Sequence, residues 1–191
     1  MKLGRALAAI ATVGILVMVP AALADRDDYE TPKYKVVKND GAFEIRDYPK
    51  IVVASAPMDS NNGAFMQLFR YISGKNEAEQ KIEMTTPVII DDESDDKHMS
   101  FVVPADVAAA GAPKANNPNI EITTREAARY AVYRFSGIRS RAKEEQAQKL
   151  LMEWIEKQKL EVIGTMEKAS YDPPMTLPAK RRNEVMIKIK K

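Results

Sequence analysis

Residues 63–90, GAFMQLFRYISGKNEAEQKIEMTTPVII, constrain this chain more than any other stretch. Phe65, Leu68, Phe69 and Ile72 recur at i, i+3, i+4 and i+7, one apolar stripe of an amphipathic helix. Ser60 or Asn61 supplies a capping side chain at its start, and Gly74 enters the left-handed region at its end. After a polar loop, Thr85-Thr86-Pro87-Val88-Ile89-Ile90 reads as a β-branched strand. Pro87 confines that strand to a sheet edge or to its own first residues. The helix is therefore expected to pack by its stripe on a sheet. Its other face carries Asn62, Met66 and Arg70 at i, i+4 and i+8, roughly in line.

Strand patterns surround this unit. Residues 34–38 alternate, Asn39-Asp40-Gly41 is a turn signal, and residues 42–48 alternate again, so the pair reads as a hairpin. Phe43 and Ile45 point one way, Glu44 and Arg46 the other. Residues 51–56 form a third strand, stopped by Pro57. The acidic run at 91–96 lacks the alternating ligands, sixth-position glycine and closing glutamate of a calcium loop, and reads as a solvated hairpin loop. His98 to Val103 return as a strand, and residues 105–119 read as a surface loop with at most one short helical turn. Strands are expected at 119–124, 128–135, 162–170 and 184–190. Between them, residues 140–160 form a second helix with the apolar stripe Ala147, Leu150, Leu151, Trp154 and Ile155, and with Glu145 and Lys149 at a pairing distance. The element order strand, helix, long connection, strand, hairpin, strand occurs twice, at 51–103 and 128–189. The fold class is α+β: a distorted, antiparallel-rich β-barrel built from two pseudo-repeats, with one helix against each half.

The chain's start predicts a route. Lys2 and Arg5 form a positive region, residues 6–19 are uncharged and mostly apolar, and Ala22-Leu23-Ala24 is a small-x-small cleavage site. Residues 1–24 are read as a signal peptide and 25–191 as a single domain, exported to a periplasm or secreted, with no stable membrane insertion after cleavage. The alternative is an uncleaved anchor, although the apolar run falls below the ~18 residues that span a bilayer comfortably. Lys and Arg number 29 against 27 Asp and Glu, and Lys2 with Arg5 account for the excess, so nothing favours a nucleic-acid partner. The chain has no cysteine, which excludes disulfides, thiolate metal sites and covalent haem attachment.

One histidine and no nucleophile elbow give hydrolytic catalysis no support, and the carboxylate pairs fall in polar stretches that read as solvated surface. A binding protein is expected, not an enzyme. His98 reads either as an axial ligand of haem iron or as a surface residue at a strand end. Met66 and Arg70 are better placed for a site: an arginine beside apolar side chains meets a carboxylate while its neighbours cover a flat ring. The same face reads otherwise as solvated helix surface.

Several segments, in order, resemble one known family. FEIRDYP at 43–49, YISGKN at 71–76, KIEMTTPV at 81–88, SFVVP at 100–104, AVYRFSG at 131–137, and YDPP, LP and RRNEV between 171 and 185 are similar to the signatures of the SOUL haem-binding proteins. The resemblance covers roughly residues 34–190, and its last segment is the most specific. It implies a distorted barrel with two flanking helices and non-covalent binding of haem or another tetrapyrrole. It implies a shallow apolar cleft between the first helix and the Asp-Pro-Pro loop. The helix positions concerned fall on Asn62, Phe65, Phe69 and Arg70, and the loop positions on Pro173, Pro174 and Met175. Arg70 keeps the basic character that pairs with a propionate; Asn62 and Phe65 depart from the family's basic and methionine residues. The alternative function is an interaction or structural protein whose barrel binds a protein partner or another apolar ligand, haem being incidental.

Overall fold

The computed structural model describes residues 26–58, 61–91 and 97–191, apart from the side chains of Asp27, Asn61 and Asn62. The signal segment 1–24, the Ser60 cap and the acidic run at 92–96 lie outside the described residues. Nine strands pair antiparallel throughout: β1 (Lys35–Asp40), β2 (Phe43–Tyr48), β3 (Ile51–Pro57), β4 (Val88–Asp91), β5 (His98–Val102), β6 (Glu121–Arg125), β7 (Ala128–Phe135), β8 (Val162–Ser170) and β9 (Asn183–Ile189). Three helices join them, α1 (Asn61–Ile72), α2 (Ala105–Ala110) and α3 (Arg141–Lys157). The protein is α+β.

The strand order is β1-β2-β7-β9-β8-β4-β5-β3-β6. Outward from the central β4–β8 pair, one side runs β5, β3, β6 and the other β9, β7, β2. Helix α1 follows β3 and packs on β3 and β5; α3 follows β7 and packs on β7 and β9. Each half thus carries its own helix. At the two ends, β1 and β6 pair on one side only, so these ladders do not close the sheet.

Cross-strand partners share a face, and the register Ile90↔Lys168↔Val185 therefore puts both helices on the same side. Leu68 and Tyr71 of α1 pack on Ala54, Ala56, Met99 and Phe101. Leu151 and Trp154 of α3 pack on Ile45, Ala131, Val185 and Ile187. The opposite face carries Val53, Ile89 and Val102 in one half, and Tyr130, Val132, Tyr171 and Met186 in the other.

Four local expectations change. The buried stripe of α1 is Ala64, Leu68, Tyr71 and Ile72, whereas Phe65 and Phe69 stand 37% and 45% exposed. The small Ala64 lets the helix lie close to the sheet, and that rotation lifts both phenylalanines to the flank. Strand β4 begins only at Val88, because the Thr85 hydroxyl turns inward and donates to the Val102 carbonyl (2.6 Å). Of the two settings Pro87 allowed, the strand starts after it: β4 is interior, between β5 and β8. Glu145 pairs with Arg141 (2.8 Å), not with Lys149, which lies beside Glu153 (3.9 Å). Finally, one carboxylate expected on solvated surface is buried: Glu184 is 1% exposed and takes two bonds from Arg46 (2.8 and 3.0 Å).

Candidate functional site: a cleft between the two helices

Helix α1 ends as its sequence requires. Gly74 takes φ +102°, and the Lys75 N–H returns to the Arg70 carbonyl (3.0 Å). The elevated Phe65 and Phe69 rings lie nearly parallel (11°) with centroids 6.3 Å apart, and Phe65 meets Phe101 edge-on at 5.3 Å. Phe101 is core, so Phe65 is held from beneath while part of its ring stays open.

Opposite, the segment 171–178 is pinned on both sides. The Arg181 guanidinium donates to the carbonyls of Thr176 (2.9 Å) and Pro174, and the Arg182 N–H donates to Asp172. The Gly137 N–H donates to the Pro178 carbonyl (2.9 Å). Pro174, Met175 and Leu177 are left exposed on a braced loop.

Between them lies an open cleft of about 950 Å³ whose walls include Phe65, Met58 and Met99 on one side and Pro174 on the other. This is at the upper end of ordinary ligand sites, which run to roughly 1,000 Å³. Its floor is Ile90 and Lys168, the facing pair of the central ladder. Four cations line it, Lys97, Arg139, Arg141 and Lys168, against two carboxylates, Glu144 and Glu145. Glu144 is held between Arg139 (2.6 Å) and Lys168 (3.1 Å), and Arg139 also donates to Ser170 (2.7 Å). The cleft's apolar side chains and its excess of cations suit a flat apolar body bearing anionic groups.

The structure brings Phe65 and Pro174 to one cleft, with Phe69 beside Phe65 and with Pro173 and Met175 beside Pro174. It separates Arg70, which is exposed and lines another groove of about 260 Å³ with Lys75 and Asn117. Met66 is exposed on α1 without lining the cleft, and Asn62 lies in α1 with its side chain outside the described residues. His98 shares a face of β5 with Ser100 and Val102, the side away from Met99, Phe101 and α1. The thioethers of Met58 and Met99, not His98, therefore line the cleft.

The cationic wall was missed in the sequence. One signal could have found it: Arg139 and Arg141 flank Ser140, the α3 N-cap whose hydroxyl accepts from Lys143. Basic residues at a helix N-terminus oppose the macrodipole, and such a local conflict marks a site with another purpose.

The SOUL heme-binding protein family model matches residues 29–188. No curated relative matches the sequence. Among solved structures, the EcmrR C-terminal domain is similar at 14% identity and a TM-score of 0.56, over 83% of this chain and 98% of that one. The EcmrR–DNA complex gives 14% identity and 0.53, over 78% of this chain and 57% of that longer chain. A hydrolase from Listeria innocua gives 12% identity and 0.50, over 81% of this chain and 94% of that one. At such identities these likenesses show the α+β fold alone.

Proposed function

The chain belongs to the SOUL haem-binding family, and from that premise we propose that it is an exported, non-enzymatic carrier of haem or a related tetrapyrrole, held non-covalently in the cleft between α1 and residues 171–178. The observation that carries the reading is that one cleft combines apolar side chains, Met58, Phe65, Ile90, Met99 and Pro174, with four cations against two carboxylates. Phe65 and Phe69 cover one face of the ring, and Pro173, Pro174 and Met175 close over its edge. Lys97 and Arg141, both exposed at the rim, take the propionates. Met58 and Met99 are the thioethers on the walls; sulfur is an established axial ligand of haem iron. Ser140 on the wall is engaged as the α3 cap, its hydroxyl accepting from the Lys143 N–H.

Haemin titration of the purified protein tests this. A Soret band that saturates at one equivalent supports the reading; a drift without saturation, as any apolar surface gives, overturns it. The double variant Lys97→Ala/Arg141→Ala is expected to weaken binding by up to about thirtyfold, since exposed charge pairs contribute up to about 1 kcal/mol each. His98→Ala should leave the spectrum unchanged. Arg70 is the alternative anchor: if Arg70→Ala weakens binding and the double variant does not, the porphyrin lies over the outer face of α1, across Met66 and Asn62.

A second reading rests on Met175 and Leu177, 74% and 64% exposed on the same loop. In it the rim docks a protein partner and haem is incidental. Large exposed apolar side chains on a braced loop suit such docking. Export by cleavage after Ala24 belongs to the first proposal, and N-terminal sequencing checks it; an intact Met1 on membrane-bound protein would overturn it. Among the described residues no helix is long and apolar enough to cross a membrane. The pseudo-repeat belongs to it too: the mirrored strand order about β4–β8 supports two related halves in a sheet that stays open at β1 and β6.

A further inference from the structure

Beneath α2, at the ends of β3 and β5, a second cavity of about 320 Å³ opens apart from the cleft. Its floor is Ile51 and Val52 of β3 with Val102 and Val103 at the end of β5. One wall is the segment 30–33, fastened by the Thr86 N–H donating to the Glu30 carbonyl (2.9 Å) and by a hydroxyl–hydroxyl bond between Thr31 and Thr86 (2.9 Å). The other wall is α2. Glu30 spans the two walls, since its Oε1 accepts from the Ala105 N–H (3.0 Å). The cavity shares no lining residue with the haem cleft.

Two features make this a binding site and not loose packing. First, its hydroxyls are turned to the protein: Thr85 donates to Val102 and Thr31 bonds Thr86, which leaves the interior apolar. Second, α2 is anchored by the half-buried Val107 against the α1 cluster and presents Ala105 and Ala108, three apart on one face, to the cavity, where larger side chains would fill the space. The mouth carries two exposed lysines, Lys33 and Lys50; the one carboxylate on the wall, Glu30, is engaged by the α2 backbone, and Lys50 lies 3.3 Å from Glu126.

We propose that this cavity binds a small apolar monocarboxylate, a medium-chain fatty acid or an aryl-acetic acid, with its hydrocarbon body between α2 and β3–β5 and its carboxylate at Lys33 and Lys50. The volume sits at the lower end of small-molecule sites, roughly 300 Å³, too small for a porphyrin and sufficient for a chain of medium length. The lysines select the acid over the amine of equal length.

Octanoate, octanol and octylamine, each titrated calorimetrically into the purified protein, test the proposal. Octanoate should saturate at one site, and octanol should bind about fivefold more weakly, the scale of an exposed charge contact. Ala108→Trp fills the cavity from the exposed helix and should abolish octanoate binding while leaving haemin binding intact. Lys33→Met/Lys50→Met should reduce octanoate affinity to that of octanol without changing octanol binding. The proposal is overturned if octanoate fails to saturate, if Ala108→Trp binds it unchanged, if octylamine binds as well as octanoate, or if haemin displaces it, which would put the acid in the other cleft. A failed haemin titration alone leaves this site standing, because the two share no residue.

Discussion

Glu184 of β9 accepts from Arg46, from Arg182 (2.8 Å) and from the Tyr171 hydroxyl (2.9 Å), and the Arg46 side chain itself is only 1% exposed. Removing one member of such a cluster strands a buried charge, at about 3–5 kcal/mol. Glu184→Gln keeps the shape and loses the charge, so it should lower unfolding stability by at least about 2 kcal/mol in urea titrations. The pH dependence follows in sign. Burial alone would raise the Glu184 pKa, but bonds and charge from Arg46 and Arg182 outweigh it and hold it below the ordinary 4.5. A carboxyl lowered by folding contributes stability that is complete above its unfolded pKa and lost as pH falls through the folded one. Asp47, bonded by Arg129, shifts the same way. Glu167 runs opposite: burial raises it against the pull of Arg125, so its contribution fades as pH rises above 4.5. The urea midpoint should therefore drop on acidification below about pH 4.5, and Glu184→Gln should flatten that drop; a drop of unchanged size would assign it to other carboxyls. None of this cluster was legible locally. Arg46 alternates with Ile45 as a solvent-facing residue would, and its partner lies 138 positions away.

At the scale of elements, the periodicities held wherever burial alone decides geometry. Residues 128–135 and 162–170 are β7 and β8 to the residue, and Ala147, Leu151, Trp154 and Ile155 are the buried stripe of α3. Where tertiary contacts choose between equivalent faces, the pattern was insufficient. The i, i+3, i+4, i+7 series on α1 is a real apolar stripe, but Ala64 and Tyr71 shift the buried line towards the sheet and free two phenylalanines. This divides the stripe into a structural and a binding edge. Leu68→Ala, at a fully buried position, should cost about 2–5 kcal/mol. Phe65→Ala should cost less in the same denaturation series, yet weaken haemin binding measurably, because its ring forms a wall of the cleft. Equal stability losses with unchanged haemin affinity would return Phe65 to the core. The Asp-Pro-Pro loop was legible because prolines mark where the backbone cannot join a ladder. Its bracing by Arg181 was not, since it depends on a turn closing over seven residues.

For the whole molecule, the central fact is that the cleft draws on both halves. Met58, Phe65 and Met99 come from the half built on β3, and Arg139, Lys168 and Pro174 from the half built on β7. The two halves share one backbone ladder, Val88↔Ser170 to Ile90↔Lys168, whose last pair floors the site, and Arg125 of β6 also crosses to Glu167 and Tyr130. A ligand seated there bridges the seam and stabilises only the state in which the halves are joined. Ligand present at a hundred times its Kd adds about 2.7 kcal/mol to such a state. If both halves are needed, that gain appears in full for the entire domain. Unfolding followed by tryptophan fluorescence reports the α3 half through Trp154, bonded to Asp40 at 2.8 Å, and far-ultraviolet circular dichroism reports the whole. With saturating haemin, the two probes should shift together, as one transition at a higher midpoint. The cationic wall adds a second signature: the shift should shrink as salt rises from about 0.1 to 1 M, where screening shortens from about 10 to 3 Å. Separate midpoints, with only one moved by haemin, would place the ligand on one half and remove the seam from the site.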